Sequence, residues 1–387
     1  MVNNGIIQYS ITKFQRPVLQ LSLELVAVIF MTSSLFTLPG CENQKGRRQL
    51  ISAADPRIQY IGRFDFTDPR APSFAWTGSA IRFRFKGTGF GIILKQLNHP
   101  KDEYHTNYFA VIIDSVVSSL IRTSPDSHYD MVVDGLAPGI HQVEIFRRTE
   151  ASCGISVFEG IQLSADDKLL DPPTRPTRKI EFIGNSITCG FGNEAESELI
   201  QFSPETEDGY RAYGAIAARQ LNAEYHAVCY SGRGIYRNYD QTTPGLMPEL
   251  YQLIYPQSDK RWDFKTWIPD VVVINLGTND FAAGIADSAR FISHYLDLLR
   301  QIKSCYPAVT VICLDGPMLT DTALMTCRKF IKSAVSEFLE QGNNSVFSFS
   351  LTTQGPLGLG GDYHPNLTQH NLNAEELVPY IKTVMKW

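Results

Sequence analysis

Lys179-Ile180-Glu181-Phe182-Ile183-Gly184-Asn185-Ser186-Ile187-Thr188-Cys189-Gly190 decides how the second half of the chain is read. Residues 179–183 form a short run of β-branched and aromatic residues, which favours a strand. Gly184, Asn185 and Gly190 suit a tight turn, so Ser186 is expected where the strand gives way to a loop. Runs of the same kind recur at residues 225–230, 271–276, 310–314 and 346–349, with helical patterns between them. Asp287 is placed to cap a helix whose Phe291, Tyr295, Leu298, Leu299 and Ile302 share one face. Asp321 is placed to cap another that carries Leu324, Cys327, Ile331, Val335 and Phe338. Strands alternating with helices predict a five-stranded parallel sheet covered on both faces, which puts ligands at the carboxyl ends of the strands.

Upstream the pattern changes. In Ile81-Arg82-Phe83-Arg84-Phe85-Lys86 three apolar side chains alternate with three cations, the signature of an antiparallel strand with one face exposed. Similar runs at residues 90–94, 108–113, 129–133 and 141–147 are separated by Gly-rich and Pro-rich turns, so residues 57–165 are expected to form a jelly-roll-like β-sandwich. Asp171-Pro172-Pro173-Thr174-Arg175-Pro176 breaks all periodicity, and residues 166–178 are read as a linker to an α/β/α domain over 179–387.

Further out, residues 25–36 are mostly apolar and follow Lys13 and Arg16; twelve residues are too short to span a bilayer and fit a signal peptide. Leu38-Pro39-Gly40-Cys41 resembles the bacterial lipobox, which implies a signal peptide over 1–40, a lipidated Cys41 and a tether over 41–56. The expected location is the bacterial cell envelope, with the membrane touched only through that lipid anchor. Of the other six cysteines, Cys229 and Cys313 sit in apolar strand-like runs, where a thiol serves as a small hydrophobe; no C-x-x-C or zinc-like spacing occurs. Buried free thiols are expected, and no metal.

Composition narrows the partner class. The 387 residues are 43% hydrophobic and 19% charged, which excludes a disordered chain. With 35 basic and 40 acidic residues, the net charge is −5, and no basic run is long enough to track a phosphate backbone. Nucleic acid is therefore not an expected partner.

A Gly-x-Ser turn alone is common and carries little. Its weight comes from three further segments that the alternating topology returns to the same sheet edge. Asn275-Leu276-Gly277-Thr278-Asn279-Asp280 brings out an Asn amide, the type of donor that an oxyanion needs. In Cys229-Tyr230-Ser231-Gly232-Arg233-Gly234 the glycines let a backbone N–H approach a ligand. Gly360-Gly361-Asp362-Tyr363-His364-Pro365-Asn366 supplies a general base. A nucleophile, a base and oxyanion donors then converge.

These four blocks in this order resemble the SGNH, or GDSL-type, hydrolase superfamily. Position by position, the resemblance implies Ser186 as nucleophile, His364 as general base, and an oxyanion hole made of the Ser186 and Gly232 amides with the Asn279 side chain. Asn185 stands where the superfamily has Asp, a departure that bears on the local turn. Together with the sandwich, whose Leu136-Ala137-Pro138-Gly139-Ile140-His141-Gln142-Val143-Glu144 and Arg148-Thr149-Glu150 are similar to the N-terminal domain of carbohydrate esterase family two, the chain resembles that family from about residue 57 onward. The resemblance implies removal of acetyl groups from plant polysaccharides such as xylan or glucomannan, through an acetyl-serine and with no cofactor.

Other readings stand beside it. The same blocks serve lipases and acyl-thioesterases, and a glycan-binding lipoprotein with a vestigial esterase site would look similar. Tyr363 is a candidate sugar contact, whereas Tyr210, Tyr236, Trp262 and Trp267 read as packing and Arg233 and Asp280 as loop ties. What orients His364 is open. The superfamily's Asp lies three residues before the His, where this chain has Gly361. Either Asp362 replaces it in another register, or, as described for some members of the resembled family, a main-chain carbonyl takes the imidazole N–H; the second is preferred.

Overall fold

The computed structural model of the protein describes residues 48–97, 103–123 and 128–387. The expected signal peptide and Cys41 lie outside the described residues. The first eleven strands are β1 (Arg48–Ser52), β2 (Gln59–Ile61), β3 (Ser73–Phe74), β4 (Ala80–Gly87), β5 (Phe90–Leu97), β6 (Asn107–Ile113), β7 (Val116–Thr123), β8 (His128–Val133), β9 (Gly139–Arg147), β10 (Ile155–Ser164) and β11 (Lys168–Leu170). They form two antiparallel sheets, ordered β1-β10-β5-β8 with β3 on β10, and β11-β4-β9-β6-β7 with β2 on β4. The alternation in β4 does what its spacing demands: Ile81, Phe83 and Phe85 join Phe90, Ile92, Phe109, Val111, Val143, Phe158 and Ile161 in the core between the sheets.

The sandwich is longer than the sequence suggested. β1, in the segment read as a tether, pairs with β10 from Arg48↔Ser164 to Ser52↔Gly160. β11, in the segment read as a linker, pairs with β4. Both are edge strands with little alternation of their own, and they form because a neighbour offers a free row of backbone donors and acceptors. β6 departs from the expected half-exposed pattern, being buried along its whole length. Phe109, Val111 and Ile113 face the sandwich core. Ala110 and Ile112, on the other face, share a cluster with Phe182, Ala217 and Tyr225 of the second domain. Arg63 bridges the two domains from a position 1% exposed, donating to Glu181 Oε1 at 3.0 Å and to the Leu253 carbonyl at 2.9 Å.

The second domain has the strands β12 (Arg178–Gly184), β13 (Ala223–Cys229), β14 (Val271–Asn275), β15 (Thr310–Leu314) and β16 (Val346–Phe349). All are parallel, in the order β13-β12-β14-β15-β16. Its helices are α1 (Ser186–Cys189), α2 (Tyr213–Gln220), α3 (Met247–Leu250), α4 (Ser288–Cys305), α5 (Asp321–Glu340) and α6 (Leu367–Met385). Successive residues of one strand serve opposite layers: Val272 and Ile274 pack with Phe291, Leu298 and Ile331 of α4 and α5. Val271 and Val273 pack with Ala217, Ala374 and Leu377 of α2 and α6. Asp287 caps α4, its Oδ1 accepting from Arg290 N–H at 2.8 Å. Asp321 does not cap α5: it is the first helical residue, one position too far in for its side chain to reach back to the first turn's amides, and the Thr320 before it makes no cap bond either. Cys153, Cys189, Cys229, Cys313 and Cys327 are buried free thiols.

Candidate active site

Ser186 opens α1, two residues beyond the last residue of β12. Asn185 holds that turn, its Oδ1 accepting the Ile187 N–H at 3.1 Å, a cap bond that an Asp carboxylate would make equally well. The departure from the superfamily's Asp therefore leaves the turn intact. Ser186 is 7% exposed, and as the first residue of a short helix it has no helical acceptor for its own N–H.

His364 comes from the loop ahead of α6, and its Nε2 lies 2.9 Å from Ser186 Oγ. Its Nδ1 lies 2.9 Å from the main-chain oxygen of Asp362. A carbonyl only accepts, so Nδ1 carries the proton and Nε2 presents its lone pair to the serine hydroxyl. The Asp362 carboxylate is turned elsewhere, accepting the Phe202 N–H at 2.8 Å. This corrects the reading of Asp362 as a side-chain partner of His364 and matches the preferred one.

The loop is shaped for that carbonyl. Asp362 and Tyr363 have φ of 47° and 58°, in the left-handed region that ordinary residues avoid. Such backbone persists only where its surroundings over-determine it, and here the Gly361 N–H donates to the Gly192 carbonyl at 2.8 Å and the Asp362 N–H to the Ile200 carbonyl at 2.9 Å. A Cβ on Gly192, at φ +59°, would come within 3.1 Å of Gly361 Cα. The serine and histidine loops thus meet backbone to backbone. Phe191 lies against the imidazole, with ring centroids 4.2 Å apart, and Phe202 stacks on Phe191 at 4.3 Å.

The other two blocks reach the same edge. Tyr230 N–H donates to the Gly184 carbonyl at 3.3 Å, which sets the loop after β13 beside the serine turn. Asn279, 6% exposed, donates through Nδ2 to the Arg233 carbonyl at 2.8 Å, so its amide sits next to the Gly232 loop with one N–H left over. Gly232 takes φ +76°, for which glycine alone incurs no steric cost. Asp280 ties the loop as expected: its carboxylate accepts from Ile235, Tyr236 and Arg237 N–H groups at 3.0, 2.9 and 3.2 Å. Burial pushes that carboxyl up to about 6. Arg233 packs over the Tyr230 ring and donates to the Pro244 carbonyl.

Among the aromatic residues, Tyr363 is 56% exposed beside His364. Tyr239 is 67% exposed and donates its N–H to the Gly232 carbonyl at 2.8 Å. The sequence reading missed Tyr239 because it lies in no strand, helix or motif; an aromatic seven residues beyond Gly232 was its only signal. Tyr236 is buried. Trp267 donates to Glu224 at 2.6 Å and stacks on His226 at 3.6 Å, near the start of β13 and thus at the opposite end of the sheet. Trp262 lines the same surface cleft as Trp267, and Tyr210 packs under Arg219. Among the described residues no group of three or more His, Cys, Asp and Glu is arranged to hold a metal ion.

Two outcomes are expected from this geometry. Asp362→Asn keeps the carbonyl and tolerates the left-handed backbone, so kcat/KM should fall less than about tenfold. A loss near 10⁴ with unchanged melting would restore the carboxylate to the catalytic group. The second concerns pH. Burial lowers His364 below its ordinary 6.5, outweighing the backbone contacts that favour the charged form. Only neutral imidazole can accept the serine proton, so kcat/KM should be lost as pH falls through an inflection below 6.5. An inflection above 7 would contradict it.

Comparison with known proteins places the chain in a family. Residues 60–173 match the carbohydrate esterase 2 N-terminal family, and residues 182–372 match the GDSL-like lipase/acylhydrolase family. The cellulase/esterase CelE of Acetivibrio thermocellus is 38% identical over 86% of this chain, which spans 40% of that protein's length. An acetylxylan esterase/glucomannan deacetylase of Cellvibrio japonicus is 27% identical over 94% of this chain and 99% of its own. The solved structure of a family two carbohydrate esterase from Clostridium thermocellum in complex with cellohexaose superposes with a TM-score of 0.80, at 37% identity, over 85% of this chain and 99% of that one. A sandwich of one family fused to a hydrolase domain of the other, matched over 85% of the chain by such a structure, leaves one assignment: the chain belongs to carbohydrate esterase family two.

Proposed function

We propose that the protein removes O-acetyl groups from plant polysaccharides of the xylan or glucomannan type by way of an acetyl-Ser186 intermediate. The observation that carries this reading is the contact of Ser186 Oγ with His364 Nε2, with Nδ1 turned to the Asp362 carbonyl. His364 takes the hydroxyl proton as Oγ attacks the ester carbonyl, and the tetrahedral oxyanion forms against the Ser186 and Gly232 amides and the Asn279 side chain. His364 then protonates the departing sugar oxygen. A water, deprotonated by the same imidazole, attacks the acetyl-serine and releases acetate. Replacing the carboxylate by a carbonyl keeps the tautomer and forgoes mainly the charge-assisted part of that bond, about 1–2 kcal/mol.

Support for the substrate class comes from the Cellvibrio japonicus relative and from the two exposed tyrosines, Tyr363 and Tyr239, on the loops that carry His364 and Gly232. Such rings suit the apolar faces of sugars. Acetate release from a panel of acetylated glycans, paired with a chain-length series of nitrophenyl esters, tests the reading. Acetyl esters should be turned over fastest, and preference for long acyl chains would favour the lipase or thioesterase alternative. The cellohexaose held by the Clostridium thermocellum relative favours a second reading, glycan binding. Retention of Ser186→Ala in an acetylated or β-glucan affinity gel would bear it out. Export and lipid anchoring at Cys41 are proposed on the lipobox-like segment alone, and globomycin-insensitive processing would count against them.

A further inference from the structure

Buried acids with no part in the mechanism above lie behind the loop that carries Gly232. The turn after β9 belongs to the sandwich, yet it is held by the second domain on several sides. Arg147, fully buried, fixes the turn's shape by donating to the Thr149 and Glu150 carbonyls at 3.0 Å each and to Ser156 Oγ at 2.8 Å. The Arg148 carbonyl accepts the Gly209 N–H at 3.0 Å, and the Ala151 carbonyl accepts from Gln257 Nε2 at 2.6 Å. The Glu150 N–H donates to Glu207 Oε2 at 2.9 Å. From this anchored turn the Glu150 side chain, itself 1% exposed, reaches the loop after β13, where its Oε2 accepts the Ser231 N–H at 2.8 Å.

Ser231 immediately precedes Gly232. On the far side, the Gly232 carbonyl is held by the Tyr239 N–H at 2.8 Å. Glu150 therefore pins the peptide before the Ser231–Gly232 unit and Tyr239 pins the peptide after it. Between them, at the flexible φ of +76°, the Gly232 N–H has its direction set.

We infer that Glu150 is a positioning residue contributed by the sandwich: through Ser231 it aims the Gly232 N–H at the oxyanion. The inference rests on the reading of Ser186 and Gly232 as an esterase site. A donor aimed at developing charge must be preorganised, because a displacement of about 1 Å costs on the order of 10² in rate. The acid's environment suits the task. Burial pushes the Glu150 carboxyl up, and burial together with the Glu150 charge pushes Glu207 well above the usual range. The shift is toward the uncharged form, which lessens the negative charge set behind the oxyanion while leaving an oxygen to accept the amide proton.

The test uses the full chain with nitrophenyl acetate and acetylated xylan, comparing Glu150→Gln, Glu150→Asp and Glu150→Leu. Gln keeps an acceptor at the same reach, so kcat should stay within about threefold of wild type. Asp withdraws the acceptor by one methylene and Leu abolishes it, so kcat should fall at least about tenfold while KM stays within about twofold. That split separates positioning from general loosening of the domain contact, which would lower melting without selectively lowering kcat in the folded protein. If the Leu variant does not fold, Asp against Gln decides. Wild-type kcat in a folded Asp or Leu variant, or equal losses in all three, overturns the inference while leaving the esterase reading in place. Ser186→Ala run alongside separates the two failures: if it retains turnover, both the site and the inference fall.

Discussion

Ser186→Ala should lower kcat for acetyl ester hydrolysis by at least about 10⁴ while melting is unchanged within a few degrees. The hydroxyl is in hydrogen-bond contact with His364 Nε2, and removing it leaves an imidazole that is still oriented by the Asp362 carbonyl but has no nucleophile to activate. Residual turnover would come from the oxyanion donors and from water. The side chain lies at the sheet edge, outside the apolar clusters, so its loss opens no core cavity. His364→Ala should be similarly inactive. Because the two residues act as a unit, the double variant should be no worse than either single one, a non-additivity that unrelated contributions would not show. Near-normal acetate release from Ser186→Ala would move the reaction to another group.

Asn279→Ala should cost about 10²–10³ in kcat, equivalent to roughly 2.7–4 kcal/mol, with little change in KM. Its amide has two hydrogens, and one is committed to the Arg233 carbonyl. That bond orients the amide beside Gly232, and the remaining N–H is the one available to an oxyanion. Asp280 holds residues 235–237 independently of it, so the loop should keep its path when Asn279 is shortened. A loss below about tenfold would reduce Asn279 to a loop tie and leave the two backbone amides as the oxyanion donors.

The elements legible in the sequence were those in which burial imposes a period. Residues 310–314 and 346–349 were located to the residue because a strand flanked by helices is an apolar run between polar turns. α4 was legible because its cap and its apolar stripe agree. The missed strands lack such a signal. β7 turns Val116, Val117 and Leu120 to solvent, against the usual alternation, and Glu159 and Gly160 fall at a register shift in β10. The buried charges were equally invisible. Arg63, Glu150, Glu181 and Glu207 look like surface residues in the sequence, since nothing local shows that a partner far along the chain will desolvate and satisfy them.

By itself, then, the sequence determined which chemistry is present and at which end of the sheet it collects. Ser186, Gly232, Asn279 and His364 each follow a strand of the parallel sheet, and parallel pairing puts the end of every such strand at the same carboxyl edge. Only the tertiary structure decided how that chemistry is oriented. Whether His364 meets the carboxylate or the carbonyl of Asp362 depends on the turn at Asp362 and Tyr363. That turn is set by hydrogen bonds to Gly192 and Ile200, about 160 residues earlier in the chain. The acceptor behind Gly232 comes from the sandwich. A loop has no periodicity of its own, so its hydrogen-bond partners are chosen by whatever the packed domains bring against it.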